Sequence, residues 1–315
     1  MDMSETRHMA AVLRGEMREL EPMSRHVSWR AGGQARLAYL PVDVDDLAAF
    51  LRSLPAEEPV LMVGLGSNLL VRDGGYDGTV VFTHRALGDL QVVPGDADAT
   101  AVTAQAGVPC PKLARRTAMH DLAGAEFMAG IPGTVGGALA MNAGCYGGET
   151  WGIVSQVQTV NRHGELRVRQ SADYVIGYRH VALREHSALA PVAQDEWFVA
   201  ATFVLNRGDG SASRAVIKDL LARRIAAQPL GEPNAGSVFR NPPGDHAARL
   251  VEACGLKGKA RGGAEISQKH ANFIVNRGGA SAADIEYLIR LARETVERRF
   301  ALTLETEVRI VGAPL

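Results

Sequence analysis

Gly130-Ile-Pro-Gly-Thr-Val-Gly-Gly-Ala-Leu-Ala-Met-Asn-Ala-Gly144 is the stretch on which the reading of this chain turns. It is apolar, dense in glycine and free of charged residues along its whole length. A structural surface loop of that length is normally polar. Glycine lets the main chain approach a ligand closely, so an apolar glycine loop suits amides that touch a flat, partly apolar cofactor carrying phosphates. Its candidate contacts are Gly130, Ile131, Pro132, Gly133, Thr134, Gly136, Gly137, Ala138, Asn142 and Gly144.

A second glycine loop, Gly64-Leu-Gly-Ser-Asn68, follows a short apolar strand. Its amides, with Ser67 and Asn68, can form an anion nest for a diphosphate. The dinucleotide fingerprint fails here, because Leu69 stands at the third glycine and a strand follows instead of a helix. A plain turn is the commoner reading of Gly64, Gly66, Ser67 and Asn68 taken alone.

Elsewhere the chemistry-bearing residues come in short runs. Asn234-Ala-Gly-Ser237-Val-Phe-Arg240-Asn241 offers a hydroxyl, then the cation and amide that recognise phosphate and carboxylate. Lys269, His270 and Asn272 precede an apolar strand, and His270 alone reads more readily as a satisfied structural histidine. Tyr178-Arg179 stands before an irregular polar stretch at 181–196, where an arginine is most often a surface residue. Glu305 and Glu307 alternate with apolar residues in the last strand, which by itself describes a solvated edge. Cys110, Cys145 and Cys254 lie far apart and read as reduced thiols, with no metal-type spacing.

The 315 residues suggest two or three domains. A net charge of −1 and a pI near 6.8 argue against nucleic acid or an anionic membrane as partner. Charged residues break every apolar run near the N-terminus and no stretch is long enough to span a bilayer, so a cytoplasmic protein is expected. Residues 1–20 read as a loosely packed helical arm. Helices are expected at 44–54, 111–120, 213–227 and 245–253, with strands at 59–63, 68–71, 79–83, 101–106, 155–161, 165–169, 197–205, 238–240, 273–276 and 302–311. A hairpin turn is expected at 162–164. Ser281-Ala-Ala-Asp284 is a capping box, and Ile285, Leu288, Ile289, Ala292 and Val296 share one helical face behind it. Helices and strands mix without a regular β-α-β beat, so the class is α+β.

Together, GLGSNLLVRDGGYDG (64–78), GIPGTVGGALAMNAGCYGGE (130–149), YR (178–179), NAGSVFRNP (234–242), GGAEISQKHANFIVN (262–276) and LETEVRIVG (304–312) resemble the UDP-N-acetylenolpyruvoylglucosamine reductase family. The likeness runs in order from about residue 28 to 312, and is to the shorter subtype, without an added tyrosine-bearing loop.

The resemblance implies an FAD-binding domain of the vanillyl-alcohol-oxidase type at 21–206, in two parts (21–85 and 86–206). A substrate-binding α+β domain at 207–300 and a final strand at 301–315 returning to the flavin domain would follow. It also implies non-covalent FAD, NADPH as hydride donor, and UDP-N-acetylglucosamine enolpyruvate as the substrate reduced to UDP-N-acetylmuramate, a peptidoglycan precursor. Hydride from flavin N5 would add to the vinyl carbon. Arg179 would hold the substrate carboxylate, Glu307 would assist it, and Ser237 would deliver a proton to the α-carbon. Tyr178, Arg240, Asn241, His270 and Asn272 fall at substrate-binding positions, and no metal is needed. Two rival readings remain: an oxidase on the same scaffold, and a non-catalytic UDP-sugar-binding protein.

Overall fold

Residues 13–93, 99–184 and 196–315 are described by a computed structural model. Helix α1 (Val44–Ser53) starts where the Asp43 carboxylate accepts from the Asp46 amide at 2.9 Å. Its Leu47, Phe50 and Leu51 are buried between two sheets, meeting Tyr39 and Val81 on one side and Val160, Trp197 and Val199 on the other. The first sheet runs Glu16–Pro22, Gln34–Leu40, Tyr76–Phe82, Val60–Val63 in spatial order.

The helical reading of 1–20 is corrected here. Glu16–Pro22 is an edge strand, antiparallel to Gln34–Leu40 with Glu16 opposite Leu40. Glu, Met, Arg and Leu favour helix intrinsically, but the unpaired edge of Gln34–Leu40 offers a ladder that overrides this preference. Residues 1–12 lie outside the described residues.

The second sheet is centred on the long strand Glu196–Arg207, which pairs with Val154–Asn161 on one side and Ala99–Gln105 on the other. The hairpin at 162–164 is present, with Gly164 at φ +70°. Of the polar stretch at 181–196, His180–Leu183 forms a strand, Glu196 opens the central strand, and 185–195 fall outside the described residues. Helices α2 (Cys110–Met119) and α3 (Val135–Met141) cover this sheet's core.

Helix α4 (Gly210–Ala227) buries Ile217 in that same core, and Ser213 Oγ donates to Glu126 Oε1 at 2.5 Å. It therefore packs on the second sheet, and a further core is built from Ala235 onward together with Trp29, Ala31 and Leu70. That core contains α5 (Ala247–Ala253), α6 (Ala282–Phe300) and a sheet of Ala260–Arg261, Ala264–Ile266 and Ile274–Asn276. The capping box at Ser281 and Asp284 forms in both directions, and the helical face named from the sequence is buried.

Two expected strands are shorter than their patterns. At 238–240 the backbone makes a single bridge, Phe239 to Thr306. The run at 302–311 becomes a strand only at Arg309–Val311, parallel to Leu69–Val71. The alternation is real, but the run changes partner midway, from the Ser237 segment to the first domain.

The domains are tightly joined. Trp29 Nε1 donates to the Ile274 carbonyl at 2.7 Å, and Asn276 Nδ2 donates to the Trp29 carbonyl at 2.9 Å. Arg72 forks onto Glu286 at 2.8 and 2.9 Å. The Asp73 carboxylate accepts from the first amides of α6, Ala282 and Ala283, at 2.9 and 2.8 Å.

Candidate active site

The two glycine loops face one another. A Cβ on Gly64 would overlap Thr134 Oγ1, and one on Gly133 would lie 3.5 Å from Ser67 Oγ. Gly66 sits at φ +59°, where a side chain would collide with the His26 carbonyl. Behind the second loop, Val135 and Gly136 donate to the Val108 and Ala106 carbonyls at 2.8 and 2.9 Å. Ile131, Thr134 and Ala138 are buried, while Pro132 and Gly137 are exposed on the open side. Asn68 Nδ2 donates to the Glu307 carbonyl at 3.0 Å and contacts Met141 Sδ at 3.3 Å. Glu307 thus adjoins the end of the first glycine loop.

Arg179 occupies the two-residue turn between Tyr174–Gly177 and His180–Leu183. Its φ is +54°, a conformation costing a non-glycine residue about 1–2 kcal/mol. Three protein acceptors hold its guanidinium: Glu307 Oε1 at 2.8 Å from Nε, the Asn142 carbonyl at 3.3 Å and the Gly144 carbonyl at 3.0 Å. The Tyr178 ring lies 5.0 Å beneath it. The solvated-edge reading holds for Glu305, whose side chain is 75% exposed, and not for Glu307, at 16%.

Asn142 is the hub behind this arginine. It is buried in the left-handed region, its amide donates to Glu149 and to the Gly177 carbonyl, and its Oδ1 accepts from the Trp151 amide. Its side chain therefore braces the Arg179 turn from within. Glu149 was not singled out from the sequence, although it ends the glycine-rich run in which it was quoted.

Ser237 is half-buried, and its hydroxyl makes no hydrogen bond to another described residue. The Glu307 amide donates to the Val238 carbonyl at 2.8 Å, which sets the residue after Ser237 against the Glu307 backbone. Asn272, expected at the substrate, has both ends of its amide on Phe239: Oδ1 accepts from its N–H at 2.9 Å and Nδ2 donates to its carbonyl at 2.8 Å. It staples the Ser237 segment. Asn241 Oδ1 accepts from the first amide of α5 at 3.1 Å. His270 Nδ1 accepts from the Asn272 amide at 3.3 Å, and burial followed by nearby Lys257 lowers its pKa. Arg240 reaches the site, donating to the Arg179 carbonyl at 3.1 Å.

The thiol nearest this cleft, Cys145, donates to the Phe127 carbonyl at 2.9 Å, and burial pushes its pKa up to about 11. It is a poor nucleophile. Among the described residues no group of His, Cys, Asp and Glu is placed to hold a metal ion, and no helix is long and apolar enough to cross a membrane.

Residues 35–169 match the FAD binding domain family, and residues 228–311 match the C-terminal domain of UDP-N-acetylenolpyruvoylglucosamine reductase. The protein of that name from Thiobacillus denitrificans is 56% identical over 312 residues, covering 96% of this chain and 94% of the relative. The chain belongs to the UDP-N-acetylenolpyruvoylglucosamine reductase family. The relative from Legionella pneumophila (strain Corby) is 50% identical over 93% of this chain and 91% of its own length. The crystal structure of the Thermus caldophilus reductase superimposes with a TM-score of 0.77 at 28% identity, covering 94% of this chain and 98% of that one.

Family membership makes the chain an oxidoreductase, and its FAD binding domain makes FAD its cofactor. The loops suit that group: Gly64 packs directly on Thr134 and Gly133 lies beside Ser67, so small polar groups and main chain meet there, with Pro132 and Gly137 exposed next to them. The α+β class, with a flavin domain and a C-terminal domain, stands as expected.

Proposed function

We propose that this chain reduces the enolpyruvyl ether of UDP-N-acetylglucosamine to UDP-N-acetylmuramate in the cytoplasm, with NADPH as electron donor. The observation that carries this reading is the Arg179–Glu307 ion pair at the end of the first glycine loop, with the uncommitted Ser237 next to the residue that bonds the Glu307 backbone. FAD, when bound, supplies two-electron hydride transfer between NADPH and the vinyl group of the substrate.

The protein groups answer what the substrate requires. Charge develops on the enolpyruvyl carboxylate as its double bond is reduced, so a fixed cation aimed at it lowers the barrier. A guanidinium has five N–H groups. Arg179 commits three to Glu307, Asn142 and Gly144, leaving two for a carboxylate. Because the protein already fixes that geometry, little reorganisation is needed when the substrate arrives. Glu307 orients the cation and balances its charge. Ser237 donates the proton: a hydroxyl is a weak acid, but a carbanion-like α-carbon is a strong base. Tyr178 lines the approach, its ring set against the Arg179 guanidinium.

Product analysis tests the reading. In heavy water with unlabelled NADPH, the product should be UDP-N-acetylmuramate carrying deuterium at the α-carbon. Recovery of unreduced enolpyruvyl ether after NADPH is oxidised would refute it.

A further inference from the structure

Arg179 sits in a left-handed conformation that persists only where its surroundings over-determine it. Its side chain is held by the flavin domain and Glu307. Its main-chain carbonyl is held from elsewhere, accepting from Nη2 of Arg240 at 3.1 Å. Arg240 lies three residues beyond Ser237, and its own amide donates to the Glu305 carbonyl at 2.9 Å, so its position is fixed by the bridge that also places Glu307. The Glu305 carboxylate is 3.5 Å from Nη1 and mostly exposed, which makes it a weak competitor for the guanidinium.

We propose that Arg240 is a positioning residue: from the segment bearing Ser237 it holds the peptide after Arg179, and so keeps the Arg179 guanidinium in line with Ser237 and Glu307. The proposal rests on the reading of Arg179 as the arginine that holds the substrate carboxylate. It differs from a substrate-binding role for Arg240, which would act on affinity. A positioning role acts on the rate once substrate is bound. The buried Nε of Arg240 makes no hydrogen bond to a described residue and takes no part in the clamp.

Holoenzyme carrying Arg240→Met, Arg240→Lys, Arg179→Ala or Arg179→Ala with Arg240→Met tests this. Three quantities are read anaerobically: flavin reduction by NADPH, affinity of the oxidised enzyme for UDP-N-acetylglucosamine enolpyruvate, and flavin reoxidation at saturating enolpyruvyl compound. Arg240→Met is expected to leave flavin content, reduction and affinity within about threefold while slowing reoxidation roughly 10- to 100-fold. Arg240→Lys, with a donor of similar reach, recovers most of that rate. In the Arg179→Ala background, Arg240→Met adds no further loss, since the two act as one unit. Weakened affinity with normal reoxidation at saturation would overturn the proposal, as would additive losses or equal damage to both half-reactions. A wild-type enzyme that the enolpyruvyl compound does not reoxidise would overturn the functional reading beneath it.

Discussion

The guanidinium of Arg179 and the carboxylate of Glu307 lie 2.8 Å apart although 128 residues separate them in the chain. Both side chains are largely buried, at 15% and 16% exposure. Charge-assisted bonds of this kind hold geometry well when shielded from water. The pair exists because the two-residue turn between Tyr174–Gly177 and His180–Leu183 meets the run that ends in Arg309–Val311. The site therefore lies across the joint between domains.

Ser237→Ala should leave reduction of the flavin by NADPH near normal and slow reoxidation by the enolpyruvyl substrate about 10²- to 10⁴-fold, the usual worth of a general acid. Stopped-flow absorbance of each half-reaction separates the two. Equal loss in both would sink the assignment of the proton donor.

Gly64→Ala places a methyl group against Thr134 Oγ1 and forces the two loops apart. The variant should retain less FAD after gel filtration than the wild type. Gly152→Ala, where a Cβ would meet nothing within 4 Å, is the matched control and should keep its flavin.

Asp73→Ala removes the carboxylate that caps α6 from the other domain. A lost cap costs about 1 kcal/mol, which thermal unfolding would register as a lower Tm. An unchanged Tm would mean that the Ser281 and Asp284 box caps the helix unaided.

Arg169 forks onto Glu196 at 2.6 and 2.8 Å inside the second sheet, with Thr159 Oγ1 donating at 2.5 Å. Burial opposes ionisation of Glu196, but these hydrogen bonds outweigh it and hold the carboxyl below the ordinary carboxylate value. With the folded pKa the lower of the two, the stabilisation is present above the ordinary carboxylate range and fades as pH falls through it towards the folded value. Arg169→Met should cost up to about 3–5 kcal/mol at neutral pH by leaving the buried carboxylate only the more distant Arg167, 3.8 Å away. Adding Glu196→Gln should recover part of that and flatten the acid limb of Tm against pH. A limb as steep in the double variant as in the wild type would contradict this account.

Local signals survived the passage from sequence to structure where they carried their own cause. The box at Ser281 and Asp284, and the apolar face from Ile285 to Val296, need no distant partner and appear as written. The loop at Gly130–Gly144 stood out because its lack of charge made no sense as ordinary surface, whereas Gly64–Asn68 taken alone read as a plain turn. Where the partner decided the outcome, the pattern misled. Glu16–Pro22 carries residues that favour helix yet pairs as a strand, since an open sheet edge lies beside it. Glu305 and Glu307 are equivalent by alternation, but only Glu307 meets Arg179. Asn142, Asn272 and Asn241 were singled out as ligand contacts, and in the structure their amides brace backbone. An amide serves either purpose equally well, so its type alone does not say which.

The central claim is that electrons pass through this cleft from NADPH to an enolpyruvyl ether. The visible spectrum of the purified protein under anaerobic conditions tests it most directly. A flavin band that bleaches with NADPH and returns on adding UDP-N-acetylglucosamine enolpyruvate is the predicted result. Bleaching that only oxygen reverses would contradict it and point to an oxidase.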